Sequence, residues 1–168
     1  MFSQFDTFGL RPLVPSDAPA LTRHLSNPNV LRNLSRPPDP FTLKDAEAFI
    51  ASGPAEDKGE GAAIVVEDAL VGCIGYRMGQ FTSCRQATVG YWLAEPFWGR
   101  GIMTRAVSHV SEYLLAKPEV IRVEAVVFSW NPASARVLEK AGFEYEGRMK
   151  QAVWKNGQVC DLLLYARV

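Results

Sequence analysis

The chain has 168 residues, of which 48% are hydrophobic and 21% are charged, as is usual for a globular protein with one sizeable core. Its 18 basic and 18 acidic side chains cancel, so nothing in the charge favours nucleic acid or an anionic membrane as the main partner. The three cysteines (Cys73, Cys84 and Cys160) and two histidines lack metal-ligand spacing, so we expect reduced thiols and no metal site. The length fits a single domain over residues 1–168. Because no apolar run is long enough to span a bilayer, we expect this domain to be cytoplasmic.

The N-terminal half predicts a mixture of short strands and helices. Strands are expected at residues 10–14, 62–66, 70–78 and 87–93, and helical segments begin at Ser16 or Asp17, near residue 30 and at Thr42. The first helix is predicted to break at Asn27-Pro28-Asn29, and Asp45 forms an imperfect capping box with Thr42. Glu67-Asp68 predicts a turn between two strands, and residues 54–61 and 79–86 are predicted loops.

The C-terminal half has clearer signals. Apolar residues recur at helical spacing from Met103, and residues 120–128 form the most β-branched run. Asn131-Pro132 is typical of a helix start, and Gly142 of a left-handed stop. The last strands are expected at residues 143–149, 151–155 and 159–166, with a tight hairpin turn at Asn156-Gly157. The order predicts an α+β fold in which helices cross a central sheet on both faces.

The segment from Gly99 to Thr104 follows a strand, opens a helix and carries two glycines around Arg100. Glycine lets the backbone turn so that several N–H groups point to one side. The first helical turn adds unpaired amides and the positive end of the helix dipole. This arrangement predicts a site for phosphate or pyrophosphate. Gly-Arg-Gly alone is more often only a tight strand-to-helix connection, and it matches neither a nucleotide P-loop nor a dinucleotide fingerprint.

Four segments in chain order resemble one known family. Gly90 through Thr104 is similar to the pyrophosphate motif of the GNAT N-acetyltransferase superfamily, in its branch of ribosomal-protein N-terminal acetyltransferases (the RimJ/RimL type). Asn131 through Phe143 resembles the second cofactor motif, residues 27–42 the N-terminal region, and residues 145–165 the closing strands. The resemblance covers essentially the whole chain. It implies an α/β/α layered fold with a mixed, mostly antiparallel central sheet of about six to seven strands and helices on both faces.

The resemblance also implies a function and a set of site residues. It indicates an acetyl-CoA-dependent N-acetyltransferase that moves an acetyl group directly to a primary amine, either a protein N-terminal α-amine or a small-molecule amine. The backbone amides from Gly99 to Thr104 would bind the pyrophosphate. The backbone of residues 92–94 and the Asn131 side chain would bind the pantetheine arm. Ser134 would be the catalytic donor to the leaving thiolate, and Arg136 either reaches the phosphates or is a surface charge. The expected cofactor-binding residues are Trp92, Leu93, Ala94, Trp98, Gly99, Arg100, Gly101, Ile102, Met103, Thr104, Asn131, Ser134 and Arg136.

The sequence offers no convincing general base. Thr88 stands where relatives often carry glutamate, and Val153 where some carry a carboxylate. Glu124 is a conceivable carboxylate, although pairing with Arg122 or another neighbour is the more ordinary role for a strand residue. An α-amine, with a pKa near ~8, needs less help than an alkylamine near ~10. The lack of an evident general base therefore favours a weakly basic acceptor or a water relay. We expect the oxyanion to be bound by an amide near Leu93 or Ala94.

Two other functions fit the same residues. One is a CoA-binding sensor or interaction module with little catalysis, which the missing base would explain. The other is a phosphate-binding or purely structural α+β domain, in which Gly-Arg-Gly only connects a strand to a helix. An exposed last strand or helix would in either case allow a homodimer.

Overall fold

The computed structural model describes residues 1–52, 59–79 and 85–168. Its strands are β1 (Ser3–Gln4), β2 (Gly9–Arg11), β3 (Gly59–Val66), β4 (Ala69–Met78), β5 (Gln86–Leu93), β6 (Arg122–Phe128), β7 (Glu144–Lys155) and β8 (Gln158–Arg167). Its helices are α1 (Ala18–Leu25), α2 (Pro28–Leu31), α3 (Leu43–Ser52), α4 (Ile102–Leu115) and α5 (Pro132–Lys140). Cys84 and most of the two predicted loops, at residues 54–61 and 79–86, lie outside the described residues.

The chain divides into two compact units. The first unit comprises Met1–Arg77 and Tyr91–Ile102, and the second comprises Met78–Gly90 and Met103–Val168. Hydrogen-bonded strands follow the order β1-β2-β3-β4-β5 and then β5-β6-β8-β7, so the sheet has eight strands. The α+β fold with a mixed sheet is confirmed, with eight strands instead of the six to seven that the resemblance implied. The two-residue β1 was not predicted, because so short a strand leaves no periodic pattern. The single domain over residues 1–168 stays a prediction.

The first unit packs its helices around one apolar cluster. Antiparallel pairs join β1 to β2, β2 to β3, and β3 to β4. The cluster contains Ala18, Leu21, Leu25, Val30, Phe41, Ala46, Ala63, Val65, Leu70 and Cys73, and Trp92 packs against it. Burial raises the pKa of the Cys73 thiol, which keeps it protonated as an apolar core group.

The helix starts of the first unit only partly follow the sequence prediction. Asp17 precedes α1 but makes no cap bond with its side chain. Its carboxylate instead accepts hydrogen bonds from both terminal nitrogens of Arg11, each at 2.7 Å, and from the Val14 amide at 2.9 Å. Burial alone would raise the pKa of Asp17, but these bonds lower it below its ordinary value. The capping box is confirmed, since the Thr42 amide donates to Asp45 and the Asp45 amide to the Thr42 hydroxyl.

The predicted break at Asn27-Pro28-Asn29 is also the start of a helix. The side-chain oxygen of Asn27 accepts a hydrogen bond from the Asn29 amide at 2.9 Å, and Pro28 is the first residue of α2. Asparagine before proline is therefore a cap here, as it is at α5. The short helix α2 ends at Leu31 rather than near residue 34.

The second unit is built on one parallel and two antiparallel strand pairs. β5 pairs in parallel with β6, and β8 lies antiparallel between β6 and β7. Helix α4 buries a stripe at helical spacing, with Ala106, Val107, Val110 and Leu114 all at 0% exposure. Gly142 ends α5 with a φ of 84°, as predicted for a left-handed stop.

The two predicted strands at residues 143–149 and 151–155 are one continuous strand, β7. The pairing with β8 shifts register between Met149 and Val153, and Gln151 has a φ of 52°. The Gln151 amide donates to the Asp161 carboxylate at 2.7 Å, so this partner stabilises a bulge where the sequence indicated a break. The Asn156-Gly157 turn is confirmed, with φ angles of 48° and 78°.

Candidate active site

The glycine turn of the first unit has the backbone that the sequence predicts. Gly99 and Gly101 have φ angles of 74° and 75°, in the region that only glycine enters without strain. Both glycines and Arg100 are exposed, and α4 begins at once with the buried Ile102. The turn therefore presents its amides and the unpaired amides of the first helical turn at an exposed surface, where an anion can bind.

Arg100 adds a positive charge to this surface. Its guanidinium lies over the Phe97 ring, 5.1 Å from the ring centroid, which holds the long side chain against the turn. Arg100 also lines a cavity of about 170 Å³, together with Thr7, Val66, Phe97 and Ile102. A cation and exposed amides beside a cavity suit the phosphates of a nucleotide-like ligand.

The segment before the turn is held in place at two points. The indole N–H of Trp98, a side chain 44% exposed, donates to the Leu93 carbonyl at 2.7 Å. The Glu95 carboxylate accepts from the side-chain amides of Asn27 at 2.7 Å and Asn29 at 3.0 Å. These two amides lower the pKa of Glu95. The sequence did not reveal this brace, because Asn27 and Glu95 are 68 residues apart.

The end of β5 narrows the choice of an oxyanion donor. The Ala94 amide donates to the Val71 carbonyl at 2.8 Å, so this N–H already has a partner. Successive amides of a strand point to opposite edges, so the Leu93 amide points away from β4. Of the two amides considered from the sequence, Leu93 therefore remains the candidate for the oxyanion donor.

The second unit contains the remaining expected cofactor residues. Met103 and Thr104 lie in the first turn of α4, where amides lack acceptors within the helix. The Asn131 oxygen caps α5 by accepting from the Ser134 amide at 3.2 Å. This cap uses the carbonyl of the side-chain amide and leaves its NH₂ group for a ligand. Arg136 lies on the exposed face of α5 and pairs with Glu139 at 3.1 Å.

The carboxylate of Glu124 lies beside Thr88, the position at which the family resemblance led us to expect a glutamate. Thr88 on β5 is directly opposite Glu124 on β6. One oxygen of Glu124 accepts from the Thr88 hydroxyl and the Gln86 amide, each at 3.2 Å, and the other from Arg122 at 3.4 Å. Arg122 also makes a two-pronged contact with Glu146 and lowers the pKa of that carboxylate. The expected pairing of Glu124 with Arg122 is confirmed, whereas the contact with Thr88 depends on strand register and was not foreseen.

Groups of metal-ligating side chains and membrane-spanning helices are both absent from the described residues. Within residues 1–52, 59–79 and 85–168, histidine, cysteine and carboxylate side chains form no group that could hold a metal ion. Over the same part of the chain, none of the helices has the length and apolar character needed to cross a membrane. Cys73 and Cys160 are buried free thiols.

Comparisons with known proteins agree with this geometry. Residues 7–144 match the family model of the acetyltransferase (GNAT) domain. The uncharacterized N-acetyltransferase YoaA of Bacillus subtilis (strain 168) is 30% identical over 168 residues, which cover 97% of this chain and 94% of that protein. The ribosomal-protein-serine acetyltransferase of Escherichia coli (strain K12) is 33% identical over 105 residues, covering 62% of this chain and 58% of that protein.

A solved structure has the same fold over its full length. The ribosomal L7/L12 alpha-N-protein acetyltransferase RimL, in complex with coenzyme A, superposes with a TM-score of 0.87. The alignment covers 100% of this chain and 98% of that chain at 24% sequence identity. A likeness at this level of identity shows the fold.

Proposed function

The chain belongs to the family of GNAT acetyltransferase domains and uses acetyl-CoA as its acetyl donor, and we propose that the acceptor is the α-amine of a protein N-terminus. The observation that supports this choice of acceptor is the hydrogen bonding of the Glu124 carboxylate. The carboxylate accepts hydrogen bonds from three protein donors, Thr88, Gln86 and Arg122, so it is poorly placed to act as a base toward an ammonium ion. An α-amine, with a pKa near ~8, is already partly neutral and needs little help. The E. coli relative, named for a ribosomal-protein serine acceptor, supports the same class.

The proposal assigns each part of acetyl-CoA to residues named above. Amides of the glycine turn and the start of α4 bind the pyrophosphate, with Arg100 as the nearby cation. The backbone of residues 92–94 and the NH₂ group of Asn131 bind the pantetheine arm. Arg136 would have to leave its exposed pair with Glu139 to reach a phosphate, an exchange that costs little because such pairs are weak. The assigned set is Trp92, Leu93, Ala94, Trp98, Gly99, Arg100, Gly101, Ile102, Met103, Thr104, Asn131, Ser134 and Arg136.

In the proposed reaction the neutral amine attacks the thioester carbonyl. The new C–N bond forms while the carbonyl oxygen becomes an oxyanion, which accepts a hydrogen bond from the Leu93 amide. The C–S bond then breaks, and the Ser134 hydroxyl donates a hydrogen bond to the departing thiolate. The amide nitrogen loses its extra proton to solvent. No covalent intermediate on the protein is needed.

The proposal also includes a cytoplasmic location and a homodimer. Two buried free thiols, Cys73 and Cys160, fit a reducing compartment and so support the cytoplasm. The zero net charge gives no electrostatic reason to propose nucleic acid or an anionic membrane as a partner. Strand β7 lies at the end of the strand order and is mostly exposed, which supports a homodimer.

The test is a thiol-release assay with three acceptors: a lysine-free peptide with a free N-terminus, the same peptide N-acetylated and given one lysine, and a small alkylamine. We expect the first to have the highest kcat/KM, by about tenfold or more, because of its lower amine pKa. A preference for lysine or the alkylamine would contradict the proposed acceptor. Micromolar acetyl-CoA binding without any turnover would favour the sensor module.

Two variants serve as internal controls for this assay. Gly101→Val forces a β-branched residue to a φ of 75°, so the turn rearranges and acetyl-CoA affinity drops at least about tenfold. Ser134→Ala lowers kcat by about tenfold or more and leaves acetyl-CoA affinity within about twofold, because the hydroxyl acts on the leaving thiolate. Equal loss of both quantities in Ser134→Ala would mean a structural role.

A further inference from the structure

Leu93 presents both of its backbone polar groups at the same edge of β5. The next amide, that of Ala94, points toward β4, because it donates to the Val71 carbonyl at 2.8 Å. The preceding carbonyl, that of Trp92, also faces β4, since a Cβ added at Gly72 would lie 2.5 Å from its oxygen. Backbone groups of successive strand residues point to opposite edges. The N–H and the C=O of Leu93 therefore lie side by side at the edge away from β4.

The Leu93 carbonyl at this edge is bound by a side chain of the same segment. The indole N–H of Trp98 donates to it at 2.7 Å, at the short end of the range for N–H···O bonds. A 3₁₀ turn over Glu95–Phe97 brings the two residues together, and the Trp98 amide donates to the Glu95 carbonyl at 3.1 Å. The chain thus folds back, and Trp98 closes a small loop onto the residue five positions earlier.

The peptide unit between Leu93 and Ala94 is held on both sides. Its N–H donates to the Val71 carbonyl, and its C=O accepts from the Trp98 indole. Because a peptide unit is planar, two partners on opposite sides prevent it from rotating. The side chains of Leu93 and Ala94 are also buried, so packing restricts the same piece of backbone. The Leu93 N–H belongs to the preceding peptide unit, and only the two backbone torsions of Leu93 separate it from this fixed plane.

The stability of the fold does not by itself call for an indole at this position. Trp98 is 44% exposed, so much of its ring is not used for packing. If the indole were absent, water could satisfy the Leu93 carbonyl, and the net loss of stability would be small. A mobile water would, however, leave the peptide free to tilt and would lie next to the Leu93 N–H. A donor to an oxyanion is most effective when its direction is fixed before the charge develops.

We propose that Trp98 is a positioning residue that aims the Leu93 N–H at the oxyanion formed during acetyl transfer. This inference rests on the proposed function, in which the Leu93 amide is the oxyanion donor, and adds the side chain that orients it. Trp98 acts through the backbone, because its one N–H is already used on the Leu93 carbonyl. The exposed part of the ring is left for apolar contact with the cofactor.

The test compares Trp98→Phe with Trp98→His. Phenylalanine keeps an aromatic ring without an N–H, whereas histidine has a five-membered ring whose Nε2 takes the place of the indole nitrogen. Thiol release at saturating substrates and acetyl-CoA affinity are measured at about pH 8, where imidazole, with a pKa of about 6.5, is neutral. We expect Trp98→Phe to lower kcat by about tenfold and to keep acetyl-CoA affinity within about threefold, because the oxyanion donor is misaligned and not removed. Trp98→His should recover most of the lost kcat.

The vibration of the bound thioester carbonyl separates positioning from a structural role. Acetyl-CoA labelled with ¹³C at the acetyl carbonyl is bound without an acceptor, and its stretching band is recorded by difference infrared spectroscopy. A hydrogen bond to this carbonyl lowers the frequency of the band. The unmodified protein and Trp98→His should therefore show a band below that of free acetyl-CoA, and Trp98→Phe a band closer to the free value.

The matched control is Trp154→Phe, the same substitution at an indole on β7 that is 73% exposed. Its kcat and affinity should stay within about twofold, with the carbonyl band unchanged. An unchanged kcat and band in Trp98→Phe would overturn the inference, and so would a loss of affinity equal to the loss of kcat. A band at the free value in the unmodified protein would overturn the Leu93 donor as well. Because the band needs no acceptor, it decides the role of Trp98 even if the proposed α-amine preference fails.

Discussion

The chain contains two Asn-Pro helix starts that have the same local structure and different surroundings. In the first unit Asn27 caps α2, and its NH₂ group donates to Glu95. In the second unit Asn131 caps α5 through the same side-chain oxygen, and we assign its NH₂ group to acetyl-CoA. On this assignment the same dipeptide forms an internal brace in one unit and a proposed ligand site in the other. The cap alone does not reveal which role a given asparagine has.

The strongest test of this comparison is Asn131→Asp. Aspartate caps a helix as well as asparagine, but it has no NH₂ group to donate to pantetheine. We expect acetyl-CoA affinity to drop by about tenfold in calorimetric titration, with the free energy of unfolding changed by less than about 0.5 kcal/mol. Asn131→Ala is the control, since it also loses the cap and about 1 kcal/mol of stability. Unchanged affinity in Asn131→Asp would show that Asn131, like Asn27, has no role in ligand binding.

The matching change at the other site, Asn27→Asp, should have the opposite profile. The cap is again retained, but a second carboxylate now faces Glu95 where an amide donated at 2.7 Å. We expect a lower midpoint of urea denaturation, partly recovered at high salt because the repulsion is exposed and screened. Acetyl-CoA affinity should stay within about threefold under folding conditions. A loss of affinity without loss of stability would contradict the purely internal role of Asn27.

The smallest expected effect is a dependence on pH in the first unit. Hydrogen bonds from Asn27 and then Asn29 lower the pKa of Glu95. Their contribution to stability is therefore fully present above the pKa of glutamate in the unfolded chain, about 4.3, and is lost as the pH falls through the lower folded value. Urea midpoints measured from pH 3 to pH 6 should converge for the unmodified protein and Glu95→Gln at the acidic end. A constant difference between the two proteins would contradict this.

The comparison also separates what the sequence could predict from what it could not. A cap needs only neighbours in the chain, so Asn131 and the Gly99–Gly101 turn could be predicted from local residue types. The partners of Asn27 and Thr88 lie 68 and 36 residues away, and strand register decides the second contact. A sequence pattern contains no register, so Glu124 could be named as a strand residue but not placed against Thr88.

The bulge in β7 shows a similar limit. The change in pattern near residue 150 indicated the correct place, but the choice between a break and a bulge depends on Asp161, which accepts from the Gln151 amide. Likewise, the Ala94 amide could be excluded as an oxyanion donor only once Val71 was seen to accept its hydrogen bond. Local geometry was thus predictable, whereas hydrogen-bond partners across strands required the structure.

The cross-strand row that contains Glu124 also affects how activity arises during folding. Residues 88, 124, 166 and 144 become neighbours through pairings between distant parts of the chain, one of them parallel. Closing such long loops loses entropy before any contact compensates for it, so we expect the row to form later than α4 and α5. A partly folded chain would have its helices but not the pairings that join β5, β6, β8 and β7. Acetyl transfer would then report on the completed strand topology.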